Sequence, residues 1–558
     1  MATLGLDLER GLFLGVDFGT TNSVISIYNF KEGQAQTIPI DGSNIFPTAI
    51  QFETDTEDEN KLSKIFGIQA KEGAIIYPQS TILSIKRKLG SEEKIEVVVD
   101  GKEYSFLPEQ IAGEIIAYLK QKADEYVQEE LGMEGEFSGC VITVPANSTD
   151  KQKQKTKQAA ILAGFDEENV FLRLEPAAAA ISYAINETTD KNVLVYDFGG
   201  GTFDACILAI KMEQEGEPEI SILSTFGDND LGGNDVDKII VDMIYEEFKK
   251  LTGGEIDIFD EEIDDGVSKR QKKVALVRLM QIATQAKERL SQSTTTKIVL
   301  APLIQEPKIV NINMEITREE FLNHKRVNQL GDAAEIFEKF EGKSVNDMID
   351  MTLKCIDDCI EAASFTAENI DEVFLVGGSS SLCGLSEKIS EKFGKEPYKS
   401  RISPALSISQ GAAHYCNMIM MPTVKGPSVQ EKTIHSLGLE IAGRRFMEIV
   451  KAGMDIPKEG LVVEAGELLT TNFDNVSSMA IIVYESTEML KEKETHHVSM
   501  AGMKRLAGTS LRGIPQASKG QEKVHVIFSV GQDNMLKVSA KSTSTMGVET
   551  ELVVDELY

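Results

Sequence analysis

Two short stretches of this chain nearly repeat one another. The first is LGVDFGTTNSV, residues 14–24; the second is VYDFGGGTFDACI, residues 195–207. In each, apolar residues lead into Asp-Phe-Gly, small residues and a threonine follow, and apolar residues resume. Such a pattern reads as a β-hairpin with a small, glycine-rich tip. Glycine lets backbone N–H groups come close to phosphate oxygens and permits the tight turn. Thr20, Thr21 and Thr202 add hydroxyl donors. Asp17 and Asp197 would repel a phosphate directly, so their place just before the tips calls for Mg²⁺ between, usually through water. Two such hairpins predict two homologous half-domains that pinch a polyphosphate from opposite sides. A third glycine turn, LVGGSS at 375–380, belongs with them.

The elements that must carry these tips can be read along the chain. FLGVDF and SVISIYNF form one predicted strand pair, NVLVYDF and FDACILAI the other. GCVITVP reads as a buried strand ending at Pro145, followed by a helix capped by Ser148 or Thr149 and closed at Gly164. The segments 232–250 and 268–291 have amphipathic helical period, and DEVFLVGG is a strand running into a turn. This is α/β architecture over 10–420. MPTVKGPSVQEKT then breaks the pattern and reads as a linker, 421–433. From 434 to 558 short alternating strands predict an all-β sandwich.

Taken in order, GVDFGTTNS, VITVPA, EPAAAA, VYDFGGGTFD, DLGGND and FLVGGSS resemble the 70-kilodalton heat-shock chaperones, and SLGLEI, GIPQASKG and MLKVSAKS are similar to that family's peptide-binding sandwich. The resemblance covers residues 11–558. It implies an actin/hexokinase-like two-lobed ATPase domain followed by a β-sandwich, binding ATP or ADP with Mg²⁺ and K⁺. It implies a catalytic group of Lys71 at the γ-phosphate, Glu175 and Asp197 at water and cation, and Thr202 at the γ-phosphate. Glu175 precedes Pro176, which independently puts it at a helix N-terminus. The resemblance assigns nucleotide contacts to Gly19, Thr20, Thr21 and Asn22, to Gly199, Gly200 and Gly201, to Gly232 and Gly233, and to Gly377, Gly378 and Ser379. On the base side it assigns Lys287 and Ser291. Metal ligation falls to Asp17 and Asp197. An extended apolar peptide is expected against Leu439, Ile441, Leu469, Met479 and Ile481. A J-domain protein and an exchange factor are the implied co-chaperones, and a monomer is expected.

The chain also departs from the family. Thr284 stands where a Glu is usual, Ser381 where an Arg stacks on adenine, and Ala405 where an Asp is usual. These changes predict weaker adenosine affinity or altered base preference. Pro145 and Lys153 fall at the interdomain switch, with Lys153 in place of Arg and so without its bidentate fork. Phe171 replaces the Arg that meets J-domains, although Arg173 is close by. Ala442 and Asn472 replace the usual arch residues over the peptide. The linker lacks the acidic, Leu-rich docking segment. A helical lid is not expected after the last strand, so bound peptide would leave quickly.

Bulk properties set the remaining bounds. A chain of 558 residues is expected to hold two to four domains. A net charge of −32 argues against a broad nucleic-acid groove. No window of eighteen apolar residues suggests a membrane span, and sparse cysteines suit a reducing cytoplasm. Cys355 and Cys359 share a helical face and read as buried thiols, and His496-His497 reads as an exposed pair without metal partners. The acidic run 255–266 reads as a solvated loop and helix start, with contact to an exchange factor as the alternative. Asp-Phe-Gly also occurs in protein kinases, but this chain lacks their glycine-rich loop before a lysine strand and their His-Arg-Asp loop. Two rival readings remain: a peptide-binding or scaffold protein uncoupled from nucleotide, and a sugar kinase on the same ATPase fold, against which the sandwich argues.

Overall fold

The computed structural model describes residues 12–553 apart from 31, 59–60, 131, 133–135, 186, 213–217, 261, 331–333, 399–402, 422–427, 434, 458, 467, 487–489, 491–495, 501, 532–534 and 545–547. Residues 422–427 of the expected linker thus lie outside the described residues.

The internal repeat is a repeat of topology. In the first lobe, strands Leu12–Phe18 and Asn22–Asn29 form an antiparallel hairpin, with Asp17 opposite Val24. Strand Phe137–Val144 runs parallel on one side of it and Gln34–Thr37 antiparallel on the other. In the second lobe, Lys191–Phe198 and Phe203–Met212 form the hairpin, Glu372–Val376 lies parallel on one side, and Pro218–Asp228 antiparallel on the other. These strands are near-continuously apolar because helices cover both faces. One apolar core runs from the first lobe onto one face of the second-lobe sheet, at Val193, Val195 and Phe374, and a second fills the rest of the second lobe.

Two helices lie behind the hairpins. Glu175–Ala184 starts with Pro176 in its first turn and is buried along its whole length. Its alanines let Ser407–Met420 approach closely: a Cβ added at Gly411 would fall inside the Ala178 carbonyl. The helix Asp150–Leu162 starts at Thr149, whose hydroxyl accepts from the Gln152 N–H at 3.2 Å while Gln152 Oε1 accepts from the Thr149 N–H at 2.9 Å.

The β region is two antiparallel sheets. One runs Arg445–Val450, Ser436–Ile441, Ser478–Ser486, Met503–Arg512; the other runs Leu461–Glu464, Lys523–Val530, Leu536–Ser542, Glu549–Val553. Strict alternation in Lys523–Val530 turns Val524, Val526, Phe528 and Val530 into the shared core.

Two segments depart from their expected character. Within the linker, Ser428–Lys432 is a strand. It pairs parallel with Glu219, Ile220 and Ser221 of the second lobe and antiparallel with Asp455–Ile456 of the β region. The acidic run is not a plain solvated loop either. Ile256 and Ile258 are buried, and fully buried Lys272 donates to the Asp260 carbonyl at 2.6 Å and to Asp265 Oδ2 at 2.8 Å. A buried ammonium needs such partners, so this stretch is folded around a cation.

Because the Gly411–Ala178 contact is backbone against backbone, Gly411→Ala is expected to cost about 1–3 kcal/mol through overpacking. Denaturant unfolding of the variant beside the parent measures this; an unchanged midpoint would contradict the close approach.

Candidate functional site

The two hairpin tips meet across a cleft of about 560 Å³ between the lobes. Their proximity is recorded in the glycines. A Cβ on Gly201 would lie 2.5 Å from Thr20 Oγ1, and one on Gly232 would lie 2.5 Å from the Gly200 carbonyl oxygen. Neither position can carry a side chain without movement. The Gly233 N–H donates to the Gly199 carbonyl at 3.0 Å and the Asn234 N–H to the Gly200 carbonyl at 2.9 Å, so the start of helix Gly233–Thr252 is tied to the second tip. Thr21 Oγ1 donates to Asn234 Oδ1 at 3.3 Å, crossing from one lobe to the other. Gly377, at φ +80°, closes the third side, where a Cβ would meet the Phe198 carbonyl at 2.5 Å.

Beneath the tips is a buried charge cluster. Asp17, Glu175, Asp197 and Lys86 all line the cleft. Lys86 Nζ donates to Glu175 Oε1 at 2.6 Å. Burial alone would lower the Lys86 ammonium, but Glu175 and Asp17 outweigh it and hold it above its ordinary value. Burial, then the charge of Glu175, raises Asp17 to about 7, with Lys86 opposing. Burial and then Glu175 likewise push Asp197 well above the usual carboxylate range. Asp204 lies opposite Asp197 in the hairpin; burial and Glu175 raise it to about 8, although Asn147 Nδ2 donates to its Oδ1 at 3.0 Å. Asp197 Oδ2 and Asp204 Oδ2 are buried with no hydrogen-bond partner among the described residues. Orphaned carboxylate oxygens beside a glycine cradle fit a hydrated divalent cation.

Further groups bridge the lobes. Arg87 Nη2 reaches Asp235 Oδ2 at 2.5 Å and the Gly201 carbonyl at 2.7 Å. At the far end of the cleft, helix Lys269–Gln292 presents Thr284, Lys287 and Ser291, facing Ser379 and Ser381 and then Pro404, Ala405 and Ile408. Lys287 Nζ is held by Asp237 Oδ1 and the Gly233 carbonyl, each at 2.8 Å.

A family model described as Hsp70 protein matches residues 13–557. Relatives named chaperone protein DnaK are similar over nearly the whole chain. Those of Thermotoga petrophila and Thermotoga neapolitana are each 32% identical over 555 residues, and that of Thermosipho melanesiensis is 33% identical over 554. In each case 98% of this chain and 80% of the relative are covered. The chain belongs to the Hsp70 family. It is an ATP-dependent molecular chaperone and an ATPase.

Against that family, the structure brings together most of the expected nucleotide residues. Asp17, Gly19, Thr20, Thr21, Asn22, Glu175, Asp197, Gly199, Gly200, Gly201, Thr202, Gly233, Lys287, Ser291, Gly377, Gly378 and Ser379 all line one cleft, and Gly232 packs directly behind the second tip. Lys71, expected at the γ-phosphate, lies off the cleft lining in this conformation. It is half-buried in the short helix Gly67–Gly73, it is not among the lining side chains, and its carbonyl accepts from Gln281 Nε2 at 3.0 Å. The lysine beside Glu175 is Lys86. It lies in SIKRKLG, a motif that carries no periodic signal for chemistry. Arg87, Asn147, Asp204 and Asp235 were also not singled out by sequence. Asp204 had the visible signal of following Thr202 in the second tip.

The expected peptide positions are divided. Leu439 and Ile481 are each 1% exposed in the sandwich core, so in this conformation they offer a peptide almost no surface. Ile441, Leu469 and Met479 are half-buried. Phe171 packs its ring 6.1 Å from that of Phe13, and Arg173 stands over Tyr415 at 5.0 Å. His496 is buried rather than exposed. No helix among the described residues is long and apolar enough to cross a membrane.

Asp17 and Asp204 lie above the ordinary value of 3.8. The folded state therefore holds protons the unfolded chain has lost. The stability this gives is complete below about pH 4 and is lost as pH rises through about 7–8. Nucleotide-free protein is expected to lose thermal stability from about pH 4 to about pH 8 in low Mg²⁺. Asp204→Asn should flatten that slope and millimolar Mg²⁺ should oppose it. Thermal scans across buffers measure all three.

Proposed function

We propose that this chain binds Mg-ATP between the two hairpins, hydrolyses it slowly, and uses the docked linker strand to change the peptide affinity of the sandwich. The observation that carries this reading is the glycine cleft closed over a buried carboxylate cluster, with Lys86 paired to Glu175 inside that cluster.

The residues would divide the work by position. Backbone N–H groups at the tips take the phosphate oxygens, with the Thr20, Thr21 and Thr202 hydroxyls as further donors. Asp17, Asp197 and Asp204 would hold Mg²⁺ through water, and that ion supplies charge neutralisation at the phosphates. K⁺ would be a second cation of the same acidic cluster. Lys86 donates to Glu175 and adds positive charge where the transferred phosphoryl group develops negative charge. Asp197 Oδ2, without a hydrogen-bond partner among the described residues, orients the attacking water. Arg87 fixes the lobes at closing distance through Asp235 and the Gly201 carbonyl.

The route to the β region also has named parts. Asn147, on the segment after Pro145, holds Asp204 in the cleft and accepts from Asn229 Nδ2 at 2.9 Å through its carbonyl. Two residues later the Thr149 cap opens the helix that carries Asp150 and Lys153, buried and 3.3 Å apart. Burial raises Asp150, and Glu485 of the β region adds to the rise while Lys153 and His435 oppose it. Burial would raise Glu485 too. His435 Nδ1, 3.2 Å from it, together with Lys504 and Lys153, more than offsets this and leaves the carboxyl below its usual range. Lys153 therefore keeps an electrostatic role at the boundary despite lacking the guanidinium fork. The Ser428–Lys432 strand takes the place of the missing Leu-rich docking segment, using backbone hydrogen bonds in place of side chains. Extended polypeptide is the substrate of the sandwich, a J-domain protein and an exchange factor its co-chaperones, and the cytoplasm its compartment, consistent with six free cysteines.

Calorimetric titration with ATP, Mg²⁺ and K⁺, followed by single-turnover hydrolysis, tests the nucleotide half. Lys86→Ala is expected to slow hydrolysis roughly 10²–10³-fold, the range for losing one positioned charge or donor, and Lys71→Ala run beside it ranks the two lysines. No binding at millimolar ATP would overturn the reading. For the coupling half, Val429→Pro removes a ladder position. It is expected to leave ATP affinity unchanged and abolish ATP-induced peptide release, measured by fluorescence anisotropy. Peptide release indifferent to ATP in the parent protein would favour the uncoupled scaffold.

A further inference from the structure

We infer that the cleft selects for the triphosphate and hardly for the base, so that this chain accepts nucleoside triphosphates broadly. The inference rests on the nucleotide reading above and concerns the far end of the same cleft.

The two ends of the cleft are built differently. At the phosphate end, backbone groups and buried charges converge from both lobes. At the far end, the polar side chains are turned onto the protein. Thr284 Oγ1 donates to Asp237 Oδ2 at 2.7 Å, and Lys287 is spent on Asp237 and the Gly233 carbonyl. Ser291 Oγ donates to the Lys287 carbonyl at 3.1 Å. Of the other polar side chains there, Ser381, Glu288 and Gln292 are exposed to water, and half-buried Ser379 offers one rotatable hydroxyl that can donate or accept. Discrimination between bases requires donors and acceptors fixed against the base edges and left unpaired by the wrong base. Groups already bonded to protein, or hydrated at a rim, do not impose that penalty.

Face recognition is equally unselective. Among the described residues lining the cleft there is no arginine and no aromatic ring. A base entering between helix Lys269–Gln292 and the 404–408 segment meets Leu382, Pro404, Ala405 and Ile408, which offer apolar contact to any heterocycle. Without a guanidinium or ring to stack on, the larger face of a purine gains little over a pyrimidine.

The test is equilibrium calorimetry of the full chain with Mg²⁺ and, separately, ATP, GTP, CTP and UTP. Four Kd values within about tenfold are expected. ATP ahead of every other triphosphate by more than tenfold would overturn the inference and leave the nucleotide reading standing. No binding of any of the four at millimolar concentration would overturn the nucleotide reading, and this inference with it. Ser381→Arg places a guanidinium at the exposed rim and is expected to tighten ATP and GTP several-fold relative to CTP and UTP. An unchanged spread in a folded variant that still binds would count against the missing stacking partner as the cause.

Discussion

Everything in the ATPase region answers to one electrostatic constraint: four carboxylates are buried between two lobes with one ammonium among them. Asp17, Glu175, Asp197 and Asp204 would repel one another at any ordinary pH. Lys86 relieves part of this at Glu175, and protons or a cation must relieve the rest. The arrangement is tolerable only because the hairpins cannot spread. The glycines at 200, 201 and 232 bring backbones into contact, and Arg87 ties the first lobe to Asp235 and Gly201 of the second. The cleft is held shut by hydrogen bonds around a centre that charge would push open.

The same cluster is linked by hydrogen bonds to the segment that opens the helix facing the β region. Asp204 is gripped by Asn147, and Asn147 stands two residues before the Thr149 cap of the helix whose buried Asp150–Lys153 pair faces Glu485 and His435. The β region is engaged twice, through that helix and through the 428–432 strand, so displacement of one contact weakens the other.

The parts that sequence made legible were those written in local pattern. The doubled Asp-Phe-Gly stretch, the Thr149 cap and the alternation of 523–530 are local signals, and the structure has each where it was expected. The features that sequence left open have a common physical cause. Lys71 and Lys86 both lie on short elements without period, and only the fold decides which ammonium reaches Glu175. SVQEK has no strand character of its own; its conformation comes from the open edge of Pro218–Asp228, a tertiary effect that overrides propensity. Leu439 and Ile481 alternate as cleft residues would, but core-facing residues alternate identically, and period alone cannot tell the two apart. The acidic run looked hydrated because its cationic partner, Lys272, arrives from a separate helix.

The strand at 428–432 has a consequence for how the molecule behaves in a crowded solution. While docked, it covers the outer edge of the second-lobe sheet at Glu219–Ser221 and is itself covered by Asp455–Ile456. When it leaves, both the sheet and the freed segment carry unpaired backbone groups of matching geometry. Such edges are templates for pairing with another chain. A released strand would thus leave two edges open to pairing with another copy, and the docked strand keeps both covered.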